Sequence, residues 1–314
     1  MIVSKKLYLP LSGYSMLLII LLYAFFAASV WTSKLLLAYT TPIFLTGSRM
    51  LIAGIILLIY QYTCAREHFY FKREHAWLYL QIILFGIYFT YILRFWGMLG
   101  MSAPKAMFLF NIAPFLSSLY SYIFFDERMS KKQWIGLLIG FIGFVPILIS
   151  RSAGEAQFGE FLFISLRELA VIISIVMHSY SWIVMRKLVR DKHYSPMMVN
   201  GMSMSIGGVA ALITSIPVEG IMPVTNHTMF WSLLAFVIII SNIICHNLYG
   251  YLLRHYTATL LSFAGFLGPL FAALYGRLLF NEVVTWHFYA SSVMVLIGLC
   301  IFYKDELNRY TVQL

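Results

Sequence analysis

An internal repeat constrains this chain more than any other feature of its sequence. The segment APKAMFLFNIAPFLSSLYSYIFFDE, residues 103–127, aligns without a gap on ATLLSFAGFLGPLFAALYGRLLFNE, residues 258–282. The constant offset of 155 residues pairs identical side chains, among them Pro114 with Pro269, Tyr120 with Tyr275 and Glu127 with Glu282. Such matches in one register are not expected by chance. The chain is therefore predicted to contain two copies of one structural unit.

Composition places both units in a membrane. Hydrophobic residues make up 61% of the chain and charged residues 11%, whereas about a quarter of a soluble domain is charged. Runs long enough to cross a bilayer, about 20 residues each, are expected at Tyr14–Thr32, Pro42–Tyr62, Trp77–Gly97, Ala106–Phe125, Gln133–Ser150, Leu169–Met185, Met197–Ile216, Met229–Leu252, Thr259–Phe280 and Val284–Tyr303. The predicted fold class is an all-α polytopic membrane protein with ten transmembrane helices in the lipid bilayer.

The odd number of spans in each unit predicts the relation between the units. A second set of five spans must enter the membrane from the opposite side, which makes the repeats inverted and related by a pseudo-two-fold axis in the membrane plane. Pro42 and Gly54 match Pro196 and Gly208 at an offset of 154 residues. We therefore expect one five-helix repeat over residues 1–150 and another over residues 151–314.

The distribution of basic residues predicts the orientation. With a cytoplasmic amino terminus, 15 of the 22 Lys and Arg residues fall in the amino-terminal segment, the carboxy-terminal segment and the links on the inner face. Such an excess is typical of cytoplasmic loops, so both termini are expected in the cytoplasm. The net charge of +10 then follows from topology, and no nucleic-acid partner is expected.

Small residues and prolines recur in spans four and nine. Ala113, Ser117 and Ser121 correspond to Gly268, Ala272 and Gly276, and this spacing lets helix backbones approach closely in lipid. Pro114 and Pro269 lie beside the first member of each series and are expected to bend the helices. These positions fit either close packing alone or a hinge. In span five, Gly136 and Gly140 are expected to serve packing.

Polar residues inside the spans are the candidate substrate-binding groups. Asn242, His246 and Tyr249 follow the spacing of one helix face in span eight. The other candidates are Tyr23, Tyr88, Tyr91, Phe95, Asn111, His178 and Trp182. Buried Asn and His also join helices by hydrogen bonds, so a structural role is the alternative. Arg49 and Arg94 are costly inside a membrane. They are expected either to have a substrate-binding or gating role or to pair with helix C-terminal carbonyls.

The types of these residues indicate a class of ligand. Aromatic faces with adjacent amides suit a planar heterocycle or an organic cation, whereas an arginine suits a carboxylate or phosphate. None of the twelve acidic residues lies in mid-span, so proton coupling through a buried carboxylate is not expected. The possible modes of transport are then exchange, facilitated diffusion, or proton coupling through His178 or His246. The histidine spacing contains no HxxxH or ExxH pair, and no metal site, cofactor or enzymatic activity is expected.

These features together resemble one superfamily. The ten spans, the inverted repeats, the basic inner face and the Pro114–Glu127 and Pro269–Glu282 segments are similar to the drug/metabolite transporter superfamily, EamA type. In that family an arginine recurs in the second helix, and GSRMLIAGIILL supplies Arg49, with Ser203 at the equivalent position of the second unit. The resemblance implies a secondary transporter that moves a small metabolite by alternating access, without a cofactor.

A narrower resemblance suggests a substrate. The segments LRFWGMLGMSAPKA, residues 93–106, and WIGLLIGFIGFVPIL, residues 134–148, are similar to S-adenosylmethionine/S-adenosylhomocysteine carriers of obligate intracellular bacteria. This resemblance implies an antiporter of the bacterial inner membrane that exchanges the two compounds. An exporter of amino acids, nucleobases or drugs is one alternative, and a channel, which requires a continuous polar lining, is another. The oligomeric state stays open.

Overall fold

The computed structural model describes residues 13–100, 106, 109–143, 165–280 and 286–311, and these residues form a helical bundle. The helices are α1 (Gly13–Leu36), α2 (Pro42–Cys64), α3 (Arg73–Met98), α4 (Ala113–Phe125), α5 (Lys131–Ile142), α6 (Leu166–Asp191), α7 (Pro196–Glu219), α8 (His227–Leu252), α9 (Ala258–Ala264), α10 (Leu267–Phe280) and α11 (Trp286–Thr311).

Six of these helices, α1, α2, α3, α6, α7 and α8, are long and apolar enough to cross a membrane. Their outward faces carry exposed large apolar side chains, such as Ile59 on α2 and Ile213 on α7, which suits contact with lipid. The protein is therefore an integral membrane protein. Within the described residues, three of the other predicted spans contain shorter apolar helices, Ala113–Phe125, Ala258–Ala272 and Val293–Phe302, and span five begins with α5. Lys105, Glu282, the carboxyl end of predicted span five and the polar link over residues 151–160 lie outside those residues.

The ends of α2 and α7 show how polar backbone groups are satisfied. Each helix has a proline in its first turn, where the missing N–H costs no helical hydrogen bond. The Glu219 carboxylate, at the end of α7, accepts hydrogen bonds from the backbone N–H groups of Ile43 and Phe44 at 3.0 and 2.8 Å and from the Thr41 hydroxyl at 2.7 Å. The carboxylate thus caps the positive end of α2.

Helices α2 and α7 are antiparallel and pack through glycines that occupy equivalent positions. A Cβ atom added to Gly54 would meet the backbone of Ser205, and one added to Gly208 would meet the backbone of Leu51. A second reciprocal set joins Gly47 to Leu212 and Gly201 to Leu58. Residues 51, 54, 47 and 58 correspond to 205, 208, 201 and 212 at the 154-residue offset. Each contact therefore occurs twice with the roles of the helices exchanged.

Three of the membrane-crossing helices contain π-helical segments, at residues 82–88 of α3, 187–191 of α6 and 238–245 of α8. The segments of α3 and α8 lie at nearly the same place in the repeat. Such segments take up an extra residue per turn and are frequent at functional sites. Both segments lie immediately before residues that face the centre of the bundle.

Helix breaks replace the bends expected at Pro114 and Pro269. The chain turns at Asn111–Ile112 before α4 and at Gly265–Phe266 between α9 and α10, and each proline lies in the first turn of the helix that follows. Proline is accommodated there because its missing N–H would be unpaired in any case. The prediction that each proline bends a continuous helix is therefore wrong, because the helix is interrupted before each proline.

Small residues bring the later helices together. The Ser117 hydroxyl of α4 lies 2.7 Å from the Ser262 hydroxyl of α9. Gly136 and Gly140 of α5 pack against Gly298 of α11, where an added Cβ on Gly136 would meet the Gly298 carbonyl oxygen at 2.7 Å. The predicted packing role of these two glycines is confirmed. Close backbone approach of this kind is a main source of helix association in lipid.

Candidate functional site

A central cavity of about 170 Å³ lies between α1, α3, α6, α8 and the break that separates α9 from α10. Nine of the residues singled out from the sequence line it, namely Tyr23, Arg49, Tyr91, Arg94, Phe95, His178, Trp182, Tyr249 and Pro269. They come from both halves of the chain. The cavity is therefore the place where the polar and aromatic candidates converge.

Arg49 is buried, with 2% of its surface exposed, and its guanidinium is held by neutral acceptors. Its Nε donates to Asn242 Oδ1 at 2.7 Å, Nη1 to Ser33 Oγ at 3.1 Å and Nη2 to Ser241 Oγ at 2.7 Å. One side chain thereby joins α2 to α1 and α8. The structure brings Arg49 and Asn242 together, and Asn242 stands behind the arginine rather than on the cavity wall.

Arg94 lies on the same side of the cavity in a different environment. Its guanidinium carbon lies 5.1 Å from the centre of the Tyr91 ring and 4.9 Å from that of Phe110, in cation–π contact with both. Its Nε is buried without a hydrogen-bond partner. The Arg49 guanidinium also approaches the Tyr91 ring, at 5.3 Å, so Tyr91 contacts both cations.

His246 supports this group from behind. Its Nδ1 lies 2.6 Å from the Ser241 carbonyl oxygen, which only accepts hydrogen bonds, so Nδ1 carries the proton. Nε2 is then the acceptor for the Tyr91 hydroxyl at 2.7 Å. These two bonds fix the neutral tautomer of His246 and the orientation of Tyr91.

An aromatic wall continues from these residues. The rings of Trp182 and Tyr249 lie 4.1 Å apart at 32°, and His178 meets Trp182 edge-on at 5.4 Å. The Tyr249 hydroxyl is 3.3 Å from the Ser262 hydroxyl, and the Tyr23 hydroxyl donates to the Leu261 carbonyl. The phenol groups are thus held in place, and the Tyr23, Trp182 and Tyr249 rings all line the cavity.

Besides Asn242 and His246, two more predicted site residues, Tyr88 and Asn111, do not line the cavity. The Tyr88 hydroxyl bonds to Thr214 of α7 at 2.7 Å. Asn111 is buried at the break before α4, and its Nδ2 has no hydrogen-bond partner. Pro114 lies in the first turn of α4 and is also absent from the lining.

Sequence reasoning missed several lining residues, among them Ser33, Phe110 and Ser262. Serine is common in membrane helices because its hydroxyl can bond to its own backbone, so neither serine stands out in the sequence. Phe110 corresponds to Gly265 at the 155-residue offset. That mismatch beside a helix break is the signal that would have indicated it.

The electrostatic character of the cavity is positive. Arg49 and Arg94 line it, and the lining contains no carboxylate among the described residues. In the same part of the chain, no three His, Cys, Asp or Glu side chains lie close enough to hold a metal ion. The site can therefore offer guanidinium groups, aromatic faces and hydroxyls to a ligand.

Comparison with known proteins identifies the family. A family model described as "EamA-like transporter family" matches the chain twice, over residues 13–149 and 166–304. The "S-adenosylmethionine/S-adenosylhomocysteine transporter" of Chlamydia muridarum (strain MoPn / Nigg) is 31% identical over 297 residues, covering 91% of this chain and 92% of the relative. The protein of the same name from Chlamydia trachomatis serovar D is 32% identical over 294 residues, covering 91% of this chain and 89% of the relative.

A solved crystal structure shares the fold. It superimposes with a TM-score of 0.72 at 17% sequence identity and covers 92% of this chain and 95% of its own chain. The matched family consists of transporters and not of enzymes. The two family matches together cover most of the sequence, and this chain belongs to the EamA-like transporter family.

Proposed function

We propose that this transporter exchanges S-adenosylmethionine for S-adenosylhomocysteine across a bacterial inner membrane. The supporting observation is the central cavity, which combines an arginine cluster with a continuous aromatic wall. The names of the two chlamydial relatives point to the same pair of compounds. Both compounds carry a planar purine and an amino-acid carboxylate, and S-adenosylmethionine adds a sulfonium cation.

The chemistry of the cavity suits these groups. A purine ring stacks on aromatic side chains, which here are Trp182 and Tyr249. A sulfonium is an organic cation and is attracted to ring faces, of which the cavity offers Tyr91, Trp182 and Phe26. The arginines repel a bare cation but attract a carboxylate. A ligand that carries both a carboxylate and an organic cation can contact the arginines with one group and the aromatic ring faces with the other.

The architecture of this carrier is proposed to be ten transmembrane helices in two inverted repeats, residues 1–150 and 151–314, with both termini in the cytoplasm. Support comes from the reciprocal glycine contacts of α2 and α7. The π-helical segments of α3 and α8 and the two helix breaks recur in nearly one register. The family model also matches once in each half.

Alternating access is proposed to use the helix breaks that precede Pro114 and Pro269 as hinges. Gly265, Gly268 and Pro269 line the cavity at the break between α9 and α10. An added Cβ on Gly268 would meet no atom within 4 Å, so the carboxyl side of this break has open space. Rotation of α10 about the break would change access to the cavity.

Counterflow in proteoliposomes tests the proposal. Vesicles loaded with unlabelled S-adenosylhomocysteine are placed in labelled S-adenosylmethionine, and the expected result is a transient accumulation above equilibrium that protein-free vesicles do not show. A channel would give equilibration without accumulation. Uptake that ignores internal S-adenosylhomocysteine, or that is competed instead by amino acids or nucleobases, would refute the proposed exchange.

A further inference from the structure

We infer that Arg94 binds the carboxylate of the cargo and that Arg49 is a positioning residue, so that this site requires an α-carboxylate on its substrate. The inference rests on the proposed function and adds to it the orientation of the cargo molecule within the cavity. The two arginines are within reach of one tyrosine, Tyr91, yet their hydrogen-bonding states differ.

The Arg49 guanidinium is already engaged. Each of its three nitrogens donates to a side-chain oxygen, and those oxygens belong to α1 and α8. A cargo carboxylate that took over these donors would leave Ser33, Ser241 and Asn242 without their partner inside a membrane protein, which is costly. Arg49 is therefore better suited to holding α1 and α8 together than to binding and releasing a cargo molecule.

The Arg94 guanidinium is free to accept a ligand. No hydrogen bond joins it to another residue in the described part of the chain, and its Nε is buried without a partner. The Tyr91 and Phe110 rings hold the group in place without using its N–H donors. A planar guanidinium with free donors is the side chain that binds a carboxylate most strongly, through two parallel hydrogen bonds.

Charge balance favours the same assignment. The described cavity lining carries two guanidinium groups and no carboxylate. An uncompensated cation in a membrane interior is destabilising, and a cargo carboxylate would compensate it. A cargo without a carboxylate would add no negative charge to this chamber.

The aromatic contacts give the cargo a direction. From Arg94 the rings follow as Tyr91, then His178 at 6.1 Å from Tyr91, then Trp182 at 5.4 Å from His178, and finally Tyr249 at 4.1 Å from Trp182. A ligand with its carboxylate on Arg94 would thus extend along these rings and place its purine against Trp182 and Tyr249. The sulfonium would then lie between them, over ring faces.

The test compares two compounds that differ only in the carboxylate. Decarboxylated S-adenosylmethionine keeps the purine, the sulfonium and the amine. Competition against labelled S-adenosylmethionine is measured in proteoliposomes for the wild-type protein and for Arg94→Gln. The wild type is expected to bind S-adenosylmethionine roughly 10- to 100-fold more tightly than the decarboxylated compound, as expected for a charge-assisted bidentate contact. In Arg94→Gln the ratio is expected to fall to about one, because the affinity for S-adenosylmethionine decreases and the repulsion of the decarboxylated cation is relieved.

Arg49→Gln is the matched comparison in the same cavity. It is expected to reduce thermal stability and transport of both compounds while keeping the wild-type ratio, because it loosens α1 and α8 without removing the carboxylate contact. Arg66→Gln, whose guanidinium stacks on the exposed Tyr62, is the control that retains wild-type behaviour. Thermal unfolding without ligand shows whether each variant is folded, and the S-adenosylmethionine-induced shift in unfolding temperature provides the ratio if transport is too slow.

The outcomes separate the two proposals. A wild-type preference that survives in Arg94→Gln, or that disappears in Arg49→Gln instead, overturns the assignment while the exchange activity stands. Equal binding of both compounds by the wild type also overturns it. Failure of the wild type to bind either compound removes the proposed function, and the inference that depends on it.

Discussion

Tyr91 of α3 and His246 of α8 are hydrogen-bonded to each other and join the first half of the chain to the second. Their side chains meet at 2.7 Å, and the residues are 155 positions apart, which is the offset of the internal repeat. The contact joins α3 to α8. It lies beside the two arginines, since the Tyr91 ring contacts both guanidinium groups.

The Tyr91 hydroxyl is expected to matter for ligand binding. Tyr91→Phe removes the donor to His246 Nε2 and is expected to cost about 1 kcal/mol of unfolding free energy, more if the ring nitrogen stays unpaired. S-adenosylmethionine binding should weaken as well, because the ring contacts both arginines. Tyr88→Phe is the matched control three residues earlier, since its hydroxyl bonds to Thr214 outside the cavity. Tyr88→Phe should lower the unfolding free energy and leave the ligand-induced shift in unfolding temperature unchanged. Equal loss of S-adenosylmethionine binding in Tyr91→Phe and Tyr88→Phe would contradict the proposed binding site.

The glycines between α2 and α7 are expected to tolerate no side chain. Gly54→Ala and Gly208→Ala each force a methyl group against backbone of the facing helix, and overpacking of this kind costs about 1–3 kcal/mol. The two losses should be similar because the contacts are reciprocal. Gly268→Ala is the control, since no atom lies within 4 Å of its added Cβ. Thermal unfolding in detergent measures all three, and a neutral Gly54→Ala would disprove the close packing.

The ion pair between Glu127 and Arg186 is expected to stabilise the junction of α4 and α6. Two hydrogen bonds, of 2.8 and 2.5 Å, join the groups, and the arginine side chain is only 3% exposed. Glu127→Gln would remove the carboxylate charge from this guanidinium, which also lies over the Phe125 ring, at a cost of about 1–3 kcal/mol since Glu127 is partly exposed.

The neighbouring pair of Asp126 and Arg128 provides the control. Its side chains are 83% and 75% exposed and lie 3.6 Å apart, so Asp126→Asn should change the unfolding free energy by less than about 1 kcal/mol. A double-mutant cycle over Glu127→Gln and Arg186→Gln isolates the pair. Equal effects of Glu127→Gln and Asp126→Asn would show that the buried pair contributes nothing beyond an exposed one.

Tyr194 is expected to hold together three links at one end of the bundle. Its hydroxyl accepts a hydrogen bond from the Lys72 backbone at 3.1 Å and lies 3.0 Å from His75 Nδ1, while its carbonyl accepts from Arg254 at 2.7 Å. Burial raises the pKa of the Tyr194 phenol, so the hydroxyl stays protonated at neutral pH. Tyr194→Phe should lower stability by about 1–2 kcal/mol. Tyr60→Phe, at an exposed position of α2, should have no effect on the unfolding temperature.

Much of the helical arrangement was predictable because membrane helices leave a strong hydropathy signal. The spans of α1, α2, α3, α6, α7 and α8 appear close to their expected positions. The breaks beside Asn111 and Gly265 were not predicted, since the hydropathy on both sides is continuous and only the three-dimensional path shows where the helix stops. The convergence of Arg49, Arg94 and the aromatic residues was predicted from their cost in lipid.

The different roles of residues within the site were not predictable. Regular α-helical geometry places Tyr88, Tyr91 and Phe95 on one face, but Tyr88 ends a π-helical segment and points to α7 instead. The hydrogen bonds that distinguish Arg49 from Arg94 come from residues as distant in sequence as Ser241. Spacing along one helix carries no information about such partners.

The π-helical segments of α3 and α8 determine which side chains meet at the centre of the bundle. A π-helical turn is an α-helix that has accommodated one inserted residue, and the insertion rotates everything beyond it by about 100°. Tyr91 and His246 reach each other on the far side of two such insertions, one in each half. The side chains that meet at the centre of the bundle therefore depend on both insertions. Deleting the extra residue from one half alone would turn its tyrosine or histidine away from a partner that has not moved.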